Sequence, residues 1–262
     1  VMFQLRRLNI DLVFIMHSNE PQATPLAYCA GSKYIIKIPN NQNEFNFLHH
    51  NQAMAADSGE HFIDRRLKQI EYINISIKSY QMDIFLKEEW EKSINGLLKE
   101  GQVYIGFQMG ASTKSRMWFL ERWVDLAKQV LNHSNNWSIV LTGSKIEQSY
   151  ARSLCSNFND DRIIDLTGRL SLGPVSALIG SLDLLVTLDT GPLHIAAAMN
   201  TPTIAISVAG KAVESNPRSN ITQHIFIQKQ ITGNPYIDKS KYQKSMLQIT
   251  SDEVFEQICN TI

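Results

Sequence analysis

The sequence predicts an α/β protein built on a parallel sheet, and three observations carry that prediction. Short apolar runs alternate with amphipathic helical stretches along most of the chain. The runs IVLTG and LLVTL are apolar throughout, as in strands buried on both faces. The helices between them are of the length that right-handed βαβ crossovers use. Balanced composition agrees: 44% of the 262 residues are apolar, 19% are charged, and Lys plus Arg equals Asp plus Glu at 25 each. A chain of zero net charge has no overall attraction for nucleic acid or anionic lipid. Cys29, Cys155 and Cys259 are far apart with no CxxC, which argues against a disulfide framework or a structural zinc site.

The elements follow in order. DLVFIM (11–16) and YIIKI (34–38) read as strands, with residues 1–7 as the end of a helix. HFIDRRLKQIEYI (61–73) and FLKEEWEKSINGLLKE (85–100) have helical spacing, and between the second strand and the first of these lies a polar surface loop, 39–60. From residue 101 the alternation is regular. Strands are expected at 102–107, 137–143, 162–168, 182–188 and 201–207. Helices are expected at 117–131, 147–155, 171–181 and 192–199, the first with Trp123, Leu126, Val130 and Leu131 inward. A looser zone, 210–223, precedes a closing helix at 250–262 with Thr250 or Ser251 as its cap. The expected division is a first lobe with a connecting helix over 1–100, a regular lobe over 101–249, and the closing helix 250–262.

In open parallel sheets ligands bind where strands lead into helix N-termini, so those junctions hold the candidate chemistry. After QVYIGF come Gly110, Ser112, Thr113, Lys114 and Arg116: small residues, hydroxyls and cations suited to an anion. The loop is not a Walker A motif, and its plain alternative is a polar turn with an ordinary cap. After IVLTG, Glu147 can accept from sugar hydroxyls or simply suit the positive end of a helix. After LLVTL stands Asp189-Thr190-Gly191-Pro192-Leu193-His194. Here a proline at the first helical position, open N–H groups and an imidazole make an anion site, against the alternative of Asp189 and Thr190 as caps. Asp-Thr-Gly also marks aspartic proteases, with Asp57-Ser58-Gly59 as a second carboxylate. Asp189, however, leads into Pro and an Ala-rich helix, and no strand precedes Asp57. The seven histidines show no HExxH or paired spacing, and there is no Asp-x-Asp, so no metal is expected.

Together, GFQMGASTKSRMW, IVLTGSKIEQSYA and IIDLTGRLSLGPVSALIGSLDLLVTLDTGPLHIAAAMNTPTIAI resemble the donor-binding half of glycosyltransferase family 9. These are the bacterial ADP-heptose:lipopolysaccharide heptosyltransferases, of GT-B fold with two Rossmann-like lobes. LRRLNIDLVFIMHS, HFIDRRLKQIEYINI and KSMLQITSDEVFEQI resemble further family segments, with Ser245 where a cysteine is common. The resemblance implies that Ser112, Thr113 and Lys114 lie against the donor diphosphate and that Glu147 binds the ribose. Leu166 and Thr167 would lie beside the adenine, and Thr190, Gly191 and His194 on the diphosphate side. Asp189 and Arg116 would be catalytic, Arg116 in the place of a family lysine, two residues before Trp118. Phe119 replaces a proline.

The activity so implied is inverting, metal-independent transfer of heptose from ADP-heptose to the lipopolysaccharide inner core. No cofactor is needed beyond the nucleotide-sugar donor. The acceptor is a lipopolysaccharide core or lipid A-linked sugar, the enzyme a cytoplasmic monomer at the inner face of the inner membrane, and nucleic acid is no partner. The family's first strand and Gly-Asp motif have no counterpart here. At about 30 residues per βαβ unit the difference is roughly 60 residues. The expectation is therefore an incomplete N-terminal lobe, either in an N-terminally truncated enzyme or in a nucleotide-binding relative without its base.

Overall fold

The computed structural model describes residues 1–16, 22–38, 45–50, 60–208, 216–218, 223–229 and 240–262. They form two compact units: one from residues 1–80 with Asn216, the other from residues 81 onward without it.

In the first unit, strands β1 (Leu12–Ile15) and β2 (Tyr34–Lys37) pair in parallel, with Leu12 opposite Tyr34 and Ile15 opposite Lys37. Helix α1 spans Met2–Arg6, and α2 (Ala23–Cys29) makes the crossover. The sequence reading leaves α2 unassigned; its Pro25 lies in the first turn, where a proline removes no helical hydrogen bond. Past β2, His50 extends the edge: its N–H donates to the Ile35 carbonyl and its Nδ1 accepts from the Ile35 N–H, at 2.8 and 3.0 Å. Helix α3 (Phe62–Glu71) is capped by His61, whose Nδ1 accepts from the Ile63 N–H while Nε2 bonds the Asn216 carbonyl at 2.7 Å. Beside β2, His49 is held to a pKa of about 4, by burial first and then by the charge of Lys37. Most of the expected loop 39–60 and of the 210–223 zone lies outside the described residues; Asn46–Leu48 forms one 3-10 turn.

The second unit is a six-stranded, all-parallel sheet: β3 (Val103–Gln108), β4 (Trp137–Thr142), β5 (Ile163–Asp165), β6 (Leu184–Leu188), β7 (Thr203–Ile206) and β8 (His224–Ile227). Its spatial order is β5-β4-β3-β6-β7-β8, the doubly wound order in which the chain reverses direction between β3 and β6. One face carries α5 (Leu120–His133), α6 (Gln148–Cys155) and α10 (Ser251–Thr261), packed over Ile105, Phe107, Ile139, Leu141 and Val186. The other carries α7 (Leu172–Gly180) and α8 (Gly191–Ala198), over Tyr104, Val140 and Leu185. Alternate residues of each strand thus meet opposite cores, which is why both strand faces are apolar. Ala196 and Ala197 are fully buried and bring α8 close to the sheet.

Three expectations change. The 85–100 helix is shortened to α4 (Glu88–Ile94), because Asn95 and Gly96, the latter at φ +78°, end it. It belongs wholly to the second unit. Trp90 lies where a Cβ on Gly173 of α7 would stand, and Ile94, Leu97 and Leu98 pack on the Tyr104 core. The units accordingly divide after Tyr80, not at residue 100, and α10 is part of the second unit's core through Val254 and Ile258. Strand β8 and helix α9 (Ser240–Gln248) are further elements that the sequence reading does not anticipate. Thr250 caps α10 as expected, accepting from the Glu253 N–H, but the Glu253 carboxylate pairs with Lys229 at 2.7 Å and closes no capping box.

Arg162 ties α5 to β5. It holds Asp160 through Nε and Nη2, at 3.0 and 2.7 Å, and donates Nη1 to the Leu131 and Ser134 carbonyls at the end of α5. Arg162→Ala should lower the unfolding free energy in urea by about 1–3 kcal/mol, the range for charge-assisted hydrogen bonds. Arg162 also holds the Asp160 carboxyl below its ordinary value of 3.8. That contribution is complete above this value and is lost as pH falls through the depressed one. The acid-side loss should therefore shrink in Arg162→Ala, and an unchanged stability–pH curve would contradict the assignment.

Candidate functional site

Where the strand order reverses, the loops after β3 and β6 part to opposite faces and leave a crevice at the carboxyl edge of the sheet. A cleft of about 570 Å³ occupies it, entirely within the second unit. Its floor is polar. Gln108 ends β3 opposite Thr142 of β4 and Thr187 of β6, and Thr142 Oγ1 donates to Gln108 Oε1 at 2.9 Å.

The loop after β3 brings Gly110 and Ser112 to the wall and then winds into a 3-10 turn, Lys114–Arg116. Ser112, Thr113 and Lys114 are exposed, and the Thr113 and Ser115 hydroxyls lie 3.4 Å apart. Arg116 turns back across the switch point. Its Nη2 donates to the Asp189 carbonyl at 2.8 Å and to Asp189 Oδ2 at 3.2 Å, joining residues 73 apart in sequence. Both side chains remain about 30% exposed, so the pair is reachable from solvent. The loop ends at Trp118, buried to 1%, whose indole N–H donates to the Ile249 carbonyl at 3.1 Å. Phe119 then serves as N-cap of α5 with no side-chain bond, so the helix starts without the family's proline.

The loop after β4 supplies Gly143, Ser144, Ile146 and Glu147. Glu147 fulfils the capping reading: its Oε2 accepts from the Ser144 N–H at 2.6 Å and from the Ser144 hydroxyl, closing a capping box. Its Oε1 is directed at Gly110, where no Cβ would fit beside it. The same carboxylate thus caps a turn with one oxygen and lines the cleft with the other.

At the third junction Thr190 is the N-cap of α8, yet its hydroxyl donates to the Leu188 carbonyl at 3.3 Å and caps no helical N–H. Gly191 lines the cleft with nothing within 4 Å of where its Cβ would lie, and Pro192 follows in the first turn. An uncapped helix N-terminus beside a guanidinium is an anion-binding arrangement.

Of the sequence-predicted residues, Ser112, Glu147, Thr190 and Gly191 line the cleft, and the Arg116–Asp189 pair flanks it. His194 is not on the cleft wall. It lies near His224 of β8, whose pKa is lowered by burial and then by the charge of His194. Leu166 and Thr167 are buried behind the wall, where the Thr167 N–H donates to Asp165 Oδ1 and its carbonyl accepts from Gln148. Sequence reasoning misses the apolar jaws: Ile146, 88% exposed, and Leu172, 72% exposed, with Leu170, Val175 and Ile195. A lone isoleucine inside the polar turn SKIE was the available signal. Among the described residues no group of three His, Cys, Asp or Glu could hold a metal, and no helix is long and apolar enough to cross a membrane.

The family model for glycosyltransferase family 9 (heptosyltransferase) matches residues 2–241. Lipooligosaccharide heptosyltransferase 2 of Campylobacter jejuni is 26% identical over 238 residues, covering 87% of this chain and 71% of the relative. The structure of the Escherichia coli ADP-heptose LPS heptosyltransferase II matches with a TM-score of 0.78 at 19% identity, over 99% of this chain and 78% of that one. The E. coli heptosyltransferase WaaC with ADP matches with a TM-score of 0.73 at 15% identity, over 100% and 76%. With three strand-end motifs converging on one cleft and the family model spanning most of its length, this chain belongs to glycosyltransferase family 9, the heptosyltransferases.

Proposed function

We propose that this chain contains the donor-binding lobe of an inverting heptosyltransferase that takes heptose from ADP-heptose to the lipopolysaccharide inner core. The observation that carries the reading is the Arg116–Asp189 pair set beside the uncapped N-terminus of α8, at the switch point of the sheet. ADP was found in one structural relative, and the cleft suits the same ligand. The nucleoside fits the end lined by Glu147 and the apolar Ile146 and Leu172, and the diphosphate the end lined by Ser112 and Gly191, beside the Arg116–Asp189 pair.

In the reaction an acceptor hydroxyl oxygen attacks the anomeric carbon as the sugar–phosphate bond breaks, and the hydroxyl proton leaves to solvent or a base. The charge that develops on the departing diphosphate is what this lobe stabilises. Asp189 spends two acceptor atoms on one nitrogen of Arg116, which fixes the plane of the guanidinium and leaves its other N–H groups for phosphate oxygens. Lys114, Thr113 and the Gly191 N–H at the start of α8 supply further donors. Because these groups offset the diphosphate charge themselves, we read the transfer as metal-independent. The acceptor is a lipopolysaccharide core sugar on its lipid A anchor. The enzyme works as a monomer at the cytoplasmic face of the inner membrane, with Arg6, Arg7, Arg65 and Arg66 of the first unit as its basic contacts.

Two outcomes follow. By titration calorimetry, Arg116→Ala should weaken ADP binding by roughly 10–100-fold, as loss of a charge-assisted pair does, and Glu147→Ala by less. The reversed ranking, or tighter binding of UDP than ADP, would count against the reading. In a transfer assay with ADP-heptose, EDTA should leave the rate unchanged, while Asp189→Ala should lower it roughly 10²-fold through the misplaced guanidinium. Loss of activity on chelation would refute metal independence.

A further inference from the structure

Helix α6 starts at the cleft and reaches the loop that follows β3. Glu147, its N-cap, lies on the wall, and Tyr150 stands one turn later. The Tyr150 ring packs on the core beneath α5, and its hydroxyl donates to the Trp118 carbonyl at 2.8 Å. Trp118 has two other restraints: its indole N–H on the Ile249 carbonyl, and edge-on packing against Trp123 with ring centres 5.1 Å apart. Both act on the side chain. The Tyr150 hydroxyl acts on the main chain, at the point where the 109–119 loop rejoins the fold two residues after Arg116. Burial and the nearby Glu121 carboxylate push the Tyr150 phenol up from its ordinary value, so it stays a donor wherever the protein is folded.

We propose that Tyr150 is a positioning residue for the diphosphate end of the cleft: by holding the Trp118 carbonyl it sets the path of the loop and the place at which Arg116 presents its guanidinium. Glu147 meets the start of the same loop at Gly110, whereas Tyr150 holds its end, next to Arg116. The inference rests on the donor-cleft reading above. It differs from a general structural role, because the Tyr150 bond acts on the end of the loop beside Arg116, at the diphosphate end, and not on Gly110, which faces Glu147.

The test is calorimetric titration of ADP and of adenosine into the unaltered chain, Tyr150→Phe, Arg116→Ala and the double variant. Phenylalanine keeps the ring and removes only the hydrogen bond. Tyr150→Phe should weaken ADP by about three- to tenfold, the effect of one such bond, and leave adenosine unchanged. In the Arg116→Ala background the same substitution should add nothing, since the two residues act as one unit. Unchanged ADP affinity in Tyr150→Phe would overturn the inference. So would an equal loss for adenosine, or a loss that persists without Arg116. If the unaltered chain binds neither ligand, the donor-cleft reading itself fails, an outcome distinct from binding that ignores Tyr150.

Discussion

The reversal of strand order between β3 and β6 is the constraint on which the rest of the second unit depends. An all-parallel sheet must cover both faces with its crossover helices, so the chain runs outward from β3 through β4 and β5 and then returns to build β6, β7 and β8 on the other side. The two central strands therefore send their following loops to opposite faces. No helix fills the gap between them. Arg116 spans it to Asp189, and the loops on either side carry hydroxyls, glycines and an open helix end. The cleft is a consequence of topology, and the cation, hydroxyls and open helix end around it are the groups an anion requires.

The site's elements serve stability and binding with the same atoms. Glu147 caps its turn with one oxygen and faces Gly110 with the other. A side chain at 110 would have to displace the Glu147 carboxylate from its place. Trp118 is similarly a core residue by burial and a loop anchor by its hydrogen bonds. Such double use keeps the cleft preorganised, so little ordering of the protein has to accompany ligand binding.

How much of this is legible in the sequence follows from how local each signal is. Apolar runs such as IVLTG and LLVTL report strands buried on both faces, and the five strands from β3 to β7 lie where they are read. The inward set of α5 (Trp123, Leu126, Val130 and Leu131) is buried as its spacing predicts. The Arg116–Asp189 contact spans 73 residues and has no local pattern; only the strand-end positions of the two loops bring it within reach. Helix α4 is overread because Glu, Lys and Leu continue the periodicity past Asn95-Gly96, where the backbone leaves helical geometry. The division between units is misplaced for the same reason: Trp90 recognises a surface, the Gly173 face of α7, that periodicity does not encode. Ile146 and Leu172 escape notice because single exposed apolar residues are ordinary on protein surfaces. They acquire meaning only as part of the lining of one cleft.

On the proposed reading, the switch-point cleft holds a nucleoside diphosphate by its phosphates at Arg116 and the α8 N-terminus. A crystal structure of the chain with ADP tests it most directly. The account predicts the diphosphate within hydrogen-bonding distance of the Arg116 guanidinium and the Gly191 N–H, with the base between Ile146 and Leu172. ADP bound elsewhere, or bound in the cleft with its phosphates turned away from Arg116, would contradict it.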